Sequence, residues 1–227
     1  MMRLVDEIAE KLYADSSNIQ RASQYLRGRG IFQEKMSFPC VATTGRMITL
    51  ETQGFNPYAI TDALLMPIPS VEDRNILAGF SVRHIGKSST RIRYITIKAD
   101  PKEILCYYTR PLDEIRGQTV FVTESVIDAE SITQSSGYPA VSFLSALFQP
   151  QLFYWLSAIT DKIVFALDND TAGNRCFTKY REVWTQYQEY LPSFNIRRMS
   201  FPCKDINECM QKFGAEFLAS QVRMFAR

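Results

Sequence analysis

Lys162-Ile163-Val164-Phe165-Ala166-Leu167 runs directly into Asp168-Asn169-Asp170-Thr171-Ala172-Gly173. A short, almost wholly apolar run bounded by turn formers reads as a strand buried on both faces of a parallel sheet. A long helical stretch from Thr171 to Tyr190 follows it. Upstream, Val120–Thr123 is a second apolar strand, followed by a helical stretch from Val126 to Gln134. Ala140–Phe143 reads as a further strand and Gln149–Ala158 as a further helix. Downstream, Ile196–Met199 reads as a fourth strand, and two short helices finish the chain. Strands that alternate with helices predict parallel pairing through right-handed crossovers. In such sheets chemistry gathers at the carboxyl ends of the strands.

The N-terminal half reads differently. Leu4, Val5, Ile8 and Leu12 keep helical spacing, and Ser16 or Ser17 offers a cap for a helix from about Asn18 to Leu26. Strand patterns then take over at Met47–Leu50, Leu64–Ile68, Ile76–Val82 and Arg91–Ile97, with Glu72-Asp73-Arg74 as a hairpin turn. The stretch from Ser131 to Thr160 carries no charge, but Gly137, Pro139 and Pro150 cut it into pieces too short for a membrane span. It is expected inside an α/β sheet, in a soluble protein.

Composition narrows the chemistry. The 227 residues contain one histidine, His84, and five cysteines without a CxxC pair, which excludes a zinc ribbon and any His-rich metal site. Reduced cysteines and the absence of a targeting segment point to the cytoplasm.

Acids stand at two strand ends: Glu124 after the first, with Asp128 four residues on, and Asp168 and Asp170 after the third. An Asp-x-Asp alone is commonly a turn former or helix cap, and Asp128 alone reads as a solvated helix residue. If the two strands are neighbours, Glu124 completes an all-oxygen donor set, with Asp205 as a further candidate. Such a set suits Mg²⁺ or Mn²⁺. Charge is segregated in the same sense: Arg83–Lys102 holds six bases and one acid, a balance of +5, whereas Val120–Asp170 holds six acids and one base, −5. Bases for phosphates beside acids for cations are the components of polyphosphate chemistry.

The run from Val120 to Asp170 resembles the TOPRIM fold of bacterial-type primases, topoisomerases and some nucleases, with its Glu after one strand and DxD after another. The rest of the chain resembles the catalytic core of DnaG-type primases. The matching segments are Tyr25-Leu26-Arg27-Gly28-Arg29-Gly30-Ile31, Met66-Pro67-Ile68, Ile76 to Arg83, Ile92-Arg93-Tyr94-Ile95, and Lys204-Asp205-Ile206-Asn207-Glu208 before Phe213-Gly214. Ser125 departs from the family's Gly, and Arg93 from its Lys.

The resemblance implies an α/β, primase-type core: an N-terminal α+β subdomain over 1–116, a parallel-sheet TOPRIM subdomain over 117–200 and short C-terminal helices over 201–227. It implies Glu124, Asp168 and Asp170 as catalytic residues, and those three with Asp128 and Asp205 as metal ligands. Arg83, Arg93, Lys102 and Arg29 would contact nucleotide or DNA. The implied activity is RNA primer synthesis from NTPs on single-stranded DNA with Mg²⁺ or Mn²⁺. A replicative helicase or a separate zinc-binding, template-selecting protein is the implied partner, and no membrane is. Two other functions are compatible with the same acids: a TOPRIM nuclease, or an inactive DNA-binding accessory protein of replication.

Overall fold

The computed structural model describes residues 4–43, 46–50, 58–85, 94–100, 102–190 and 194–227. They form two compact units. One comprises Met1–Gly28, Phe32–Glu34 and Phe38–Leu105; the other comprises Arg29–Ile31, Lys35–Ser37 and Cys106–Arg227.

The first unit opens with α1 (Leu4–Tyr13) and α2 (Ser16–Arg27). Asp15, not a serine, caps α2, its carboxylate accepting from the Ser17 amide at 2.9 Å. Asp15 itself has the extended backbone that a cap requires. Strands β1 (Val41–Ala42), β2 (Arg46–Leu50), β3 (Tyr58–Thr61), β4 (Ala63–Pro69), β5 (Leu77–His84) and β6 (Tyr94–Lys98) follow. Four make an antiparallel sheet in the order β1-β4-β5-β6, and β2 pairs with β3 apart from it. The β4–β5 hairpin turns at Glu72-Asp73-Arg74, where the Asp73 carboxylate takes the Asn75 amide at 2.9 Å. Residues 91–93 of the fourth expected strand lie outside the described residues.

Val5, Ile8 and Leu12 lie one helical turn apart on α1 and pack on Leu65, Phe80, Val82 and Ile97 of the sheet. Gly79 is obligatory in β5, because a Cβ there would stand 2.2 Å from the Ile97 carbonyl oxygen.

In the second unit, β7 (Tyr107–Tyr108) and α3 (Leu112–Ile115) precede β8 (Val120–Thr123), α4 (Val126–Ser136), β9 (Ala140–Ser142) and α5 (Pro150–Ser157). Then come β10 (Lys162–Phe165), α6 (Thr171–Tyr187), β11 (Asn195–Arg198), α7 (Ile206–Phe213) and α8 (Ala215–Phe225). Four strands are parallel in the order β11-β10-β8-β9, and β7 closes one edge antiparallel to β9. The chain thus steps from β8 to β9 on one side, then returns across β8 to lay β10 on the other. That reversal opens a crevice beyond the carboxyl ends of β8 and β10.

Below the crevice, β10 and α6 share an aromatic core. Phe165 stacks on Tyr180 with centroids 4.7 Å apart, and Phe153 packs against both rings. The uncharged stretch is only partly interior. Ser131, Ile132 and Ala140–Phe143 are buried, but Leu147 is 73% exposed and Tyr154 45%. The difference arises because α5 turns one face alone to the core and the loop before it runs over the surface. Among the described residues no helix is long and apolar enough to cross a membrane.

Candidate active site

β8 and β10 are hydrogen-bonded neighbours, with Ile163 opposite Val120 and Phe165 opposite Val122. Glu124 and Asp168 therefore leave the sheet side by side, and the Asp168 amide donates to Glu124 Oε1 at 3.1 Å. Gly173, in the first turn of α6, closes on this pair. A Cβ there would stand 2.3 Å from the Asp168 carbonyl oxygen and 3.0 Å from Glu124 Oε1. The Asp-x-Asp-x-x-Gly pattern is thus steric as well as chemical.

The two carboxylates stand in a poor dielectric among like charges. Burial pushes Glu124 up to about 7, and the charges of Asp170 and Asp128 add to the effect. Burial pushes Asp168 up to about 8, reinforced by Glu124, Asp128 and Asp205. No described residue donates a hydrogen bond to the Asp168 carboxylate.

The remaining acids are held by backbone. Asp170 caps α6, taking the Gly173 amide at 2.9 Å on Oδ1, and Asp205 caps α7, taking the Glu208 amide at 2.7 Å on Oδ1. Each cap uses one carboxylate oxygen. Asp170 keeps extended backbone at the cap, where its charge reaches Glu124, while Asp168 faces Glu124, Asp128 and Asp205.

Asp128 is not a solvated helix residue. It is 6% exposed, takes the Asn207 amide at 2.9 Å and bonds Ser125, which caps α4. Asn207 also donates to Ser131 Oγ and to the Arg29 carbonyl, both at 2.9 Å, and accepts from the Arg29 guanidinium at 3.1 Å. Ser125 thus has a local task that a glycine in its place could not perform, and Arg29 is tied into the support of α7.

Sequence reasoning missed Arg198, at the end of β11. It donates to the Asp168 carbonyl at 3.1 Å and to the Gly173 carbonyl at 3.2 Å, and its charge opposes the rise at Glu124. A basic residue at the end of a fourth strand was the available signal. Asn169, between the two acids, was missed as well. Its side chain donates to the Cys203 carbonyl at 2.8 Å, and its backbone N–H donates to the Lys204 carbonyl at 2.7 Å, fastening the strand-end loop to the segment that carries Asp205.

Of the expected nucleotide or DNA contacts, Arg29 belongs to the second unit, and Arg83 and Lys102 to the first. Arg83, on β5, faces Tyr94 on β6, donating to its hydroxyl with the guanidinium 5.0 Å from the ring centre. Lys102 is exposed, and Arg93 lies outside the described residues.

An oxygen-only donor set that is partly withdrawn from water and crowded with like charge fits a hard divalent cation. Among the described residues no three of these groups already converge on one point.

This geometry has relatives. Residues 121–210, within the second unit, match the family model described as Toprim-like. Solved structures extend the likeness to the fold of DnaG primase catalytic cores. The Aquifex aeolicus primase, with its zinc-binding and RNA polymerase domains, matches at 18% identity and a TM-score of 0.72, over 97% of this chain and 59% of that one. A DnaG primase catalytic domain bound to single-stranded DNA matches at 19% identity and 0.68, over 92% and 74%. The primase fragment of the bacteriophage T7 primase-helicase matches at 20% identity and 0.56, over 86% and 72%. Among curated proteins none matches.

Proposed function

We propose that this chain is a primase-like nucleotidyltransferase that makes short RNA primers from NTPs on single-stranded DNA during replication. The observation that carries the reading is the pairing of Glu124 with Asp168 at the reversal point of a Toprim-like sheet, inside a fold shared with primase catalytic cores.

Glu124, Asp168 and Asp170 are the residues to hold Mg²⁺ or Mn²⁺, with Asp128 and Asp205 as the further acids of the same cluster. When bound, such a cation supplies Lewis-acid polarisation to the phosphoryl and 3′-hydroxyl oxygens. The protein's share is position. Arg198 grips the Asp168 and Gly173 carbonyls, so that the loop keeps its acids in place as charge arrives. Arg83, Arg93 and Lys102 are assigned to phosphates of the nucleotide or template. A replicative helicase or a template-selecting zinc protein is the partner class that this activity calls for.

Incorporation of labelled NTPs on mixed-sequence single-stranded DNA, in a Mg²⁺ and Mn²⁺ series, tests the reading. Polymer is expected from the native chain and none from Asp168→Asn. Cleavage of the template without polymer would make the chain a nuclease, and binding without either would make it an accessory protein.

A further inference from the structure

One face of α6 is left over by that site. Beginning at Thr171, the residue after the Asp170 cap, it forms a groove of about 620 Å³ with the loop at Ala146-Leu147-Phe148. The size is within the roughly 300–1,000 Å³ of ligand pockets. Its two walls differ in chemistry. The loop wall is apolar: Leu147 is largely exposed, and Phe148 is braced edge-on against Tyr180, with centroids 4.8 Å apart. Leu144, at the start of this loop, holds a left-handed backbone with φ of 57°, a conformation a leucine does not choose by itself. The helix wall is charged: Arg175 and Lys179 lie along it, and one acid, Glu182, stands at its far end. Arg175 and Lys179 are exposed, stand one turn apart on the same face, and form no ion pair among the described residues. Like charges at this spacing weaken a helix, so folding alone does not account for them.

We infer that this groove seats the single-stranded DNA template beside the catalytic acids, with backbone phosphates on Arg175 and Lys179 and a base against Phe148. One helical turn separates the cations by about 6 Å along the axis, so both face one short stretch of backbone. A cationic track beside an aromatic platform is the recurring design for single strands, and it is indifferent to sequence because every base has a π-face. The identity of the strand rests on the proposed function. A nascent primer is base-paired to its template, so only the template offers unpaired bases to a ring.

The test needs neither NTPs nor metal, so it succeeds or fails independently of catalysis. A fluorescent oligothymidylate is titrated against the native chain and Arg175→Glu/Lys179→Glu, whose melting confirms the fold. Affinity should fall at least tenfold, and the salt slope should drop by about 1.4 for two lost single-strand phosphates. A second oligonucleotide carrying 5-iodouracil should crosslink on irradiation to the peptide containing Phe148. Unchanged affinity without the crosslink would overturn the inference and leave the groove to an anionic protein. An oligouridylate that binds more tightly than the DNA and is lost in the double variant would overturn it too, assigning the groove to RNA. A chain inert towards NTPs that still passes both measurements would sink the proposed function and leave the groove standing.

Discussion

Replacing Glu124 by Gln should stabilise the metal-free protein, by an amount that depends on pH. The isostere keeps the acceptor for the Asp168 amide and removes one charge from the cluster. In the native chain Glu124 is raised from 4.5 to about 7, chiefly by burial. A carboxylate raised on folding costs nothing while both states are protonated, below its unfolded value. The penalty accumulates as pH rises through the window from 4.5 to about 7 and is complete above it. At 1.36 kcal/mol per unit the full conversion would be about 3 kcal/mol, and solvent access to the carboxylate reduces this to about 1–2 kcal/mol. For a chain of this length that corresponds to a melting temperature higher by about 2–8 °C near pH 8, shrinking towards zero near pH 4. Thermal melts of both proteins across this range, with and without Mg²⁺, measure it. Mg²⁺ should raise the melting temperature of the native chain and much less that of the variant, because a ligand that binds only the folded state stabilises by mass action. A variant less stable than the native chain near pH 8, or a gain that ignores pH, would refute the assignment of Glu124 to a crowded anionic site.

Gly173→Ala should destabilise by about 2–4 kcal/mol, against the gain of up to about 1 kcal/mol expected of Ala in an open helix position, because its Cβ meets the Asp168 carbonyl. Urea unfolding reads the sign directly. Arg198→Gln should lower primer synthesis and move the acidic limb of the pH–rate profile upward, since removing a cation raises the Glu124 carboxyl further; a lower rate with an unmoved limb would reduce Arg198 to a loop support. Arg83→Ala should weaken single-stranded DNA binding equally on all sequences, with a salt slope smaller by about 0.7, and a loss confined to particular sequences would show base reading instead.

The alternation of apolar strands and helices after Gln118, the strand-end positions of Glu124 and Asp168, and the hairpin at Glu72-Asp73-Arg74 were legible because each is written in a few consecutive residues. Apolar runs, turn formers and periodicity act over one element at a time. Caps were legible less well: Asp15 displaced the expected serines by one position. That outcome turns on which residue keeps extended backbone, and it is decided by where the neighbouring helix begins to pack. What no local pattern contains is adjacency. Val120 and Ile163 pair across 43 positions because β9 takes the other flank of β8, and only that choice brings Glu124 to the Asp168 amide. Asp128 is withdrawn from water by Asn207, 79 residues away, and Arg198 arrives from the far strand to hold the acidic loop. Such meetings depend on how sheet and helices bury their apolar faces together, so the acids were visible in the chain while their neighbours belonged to the tertiary structure.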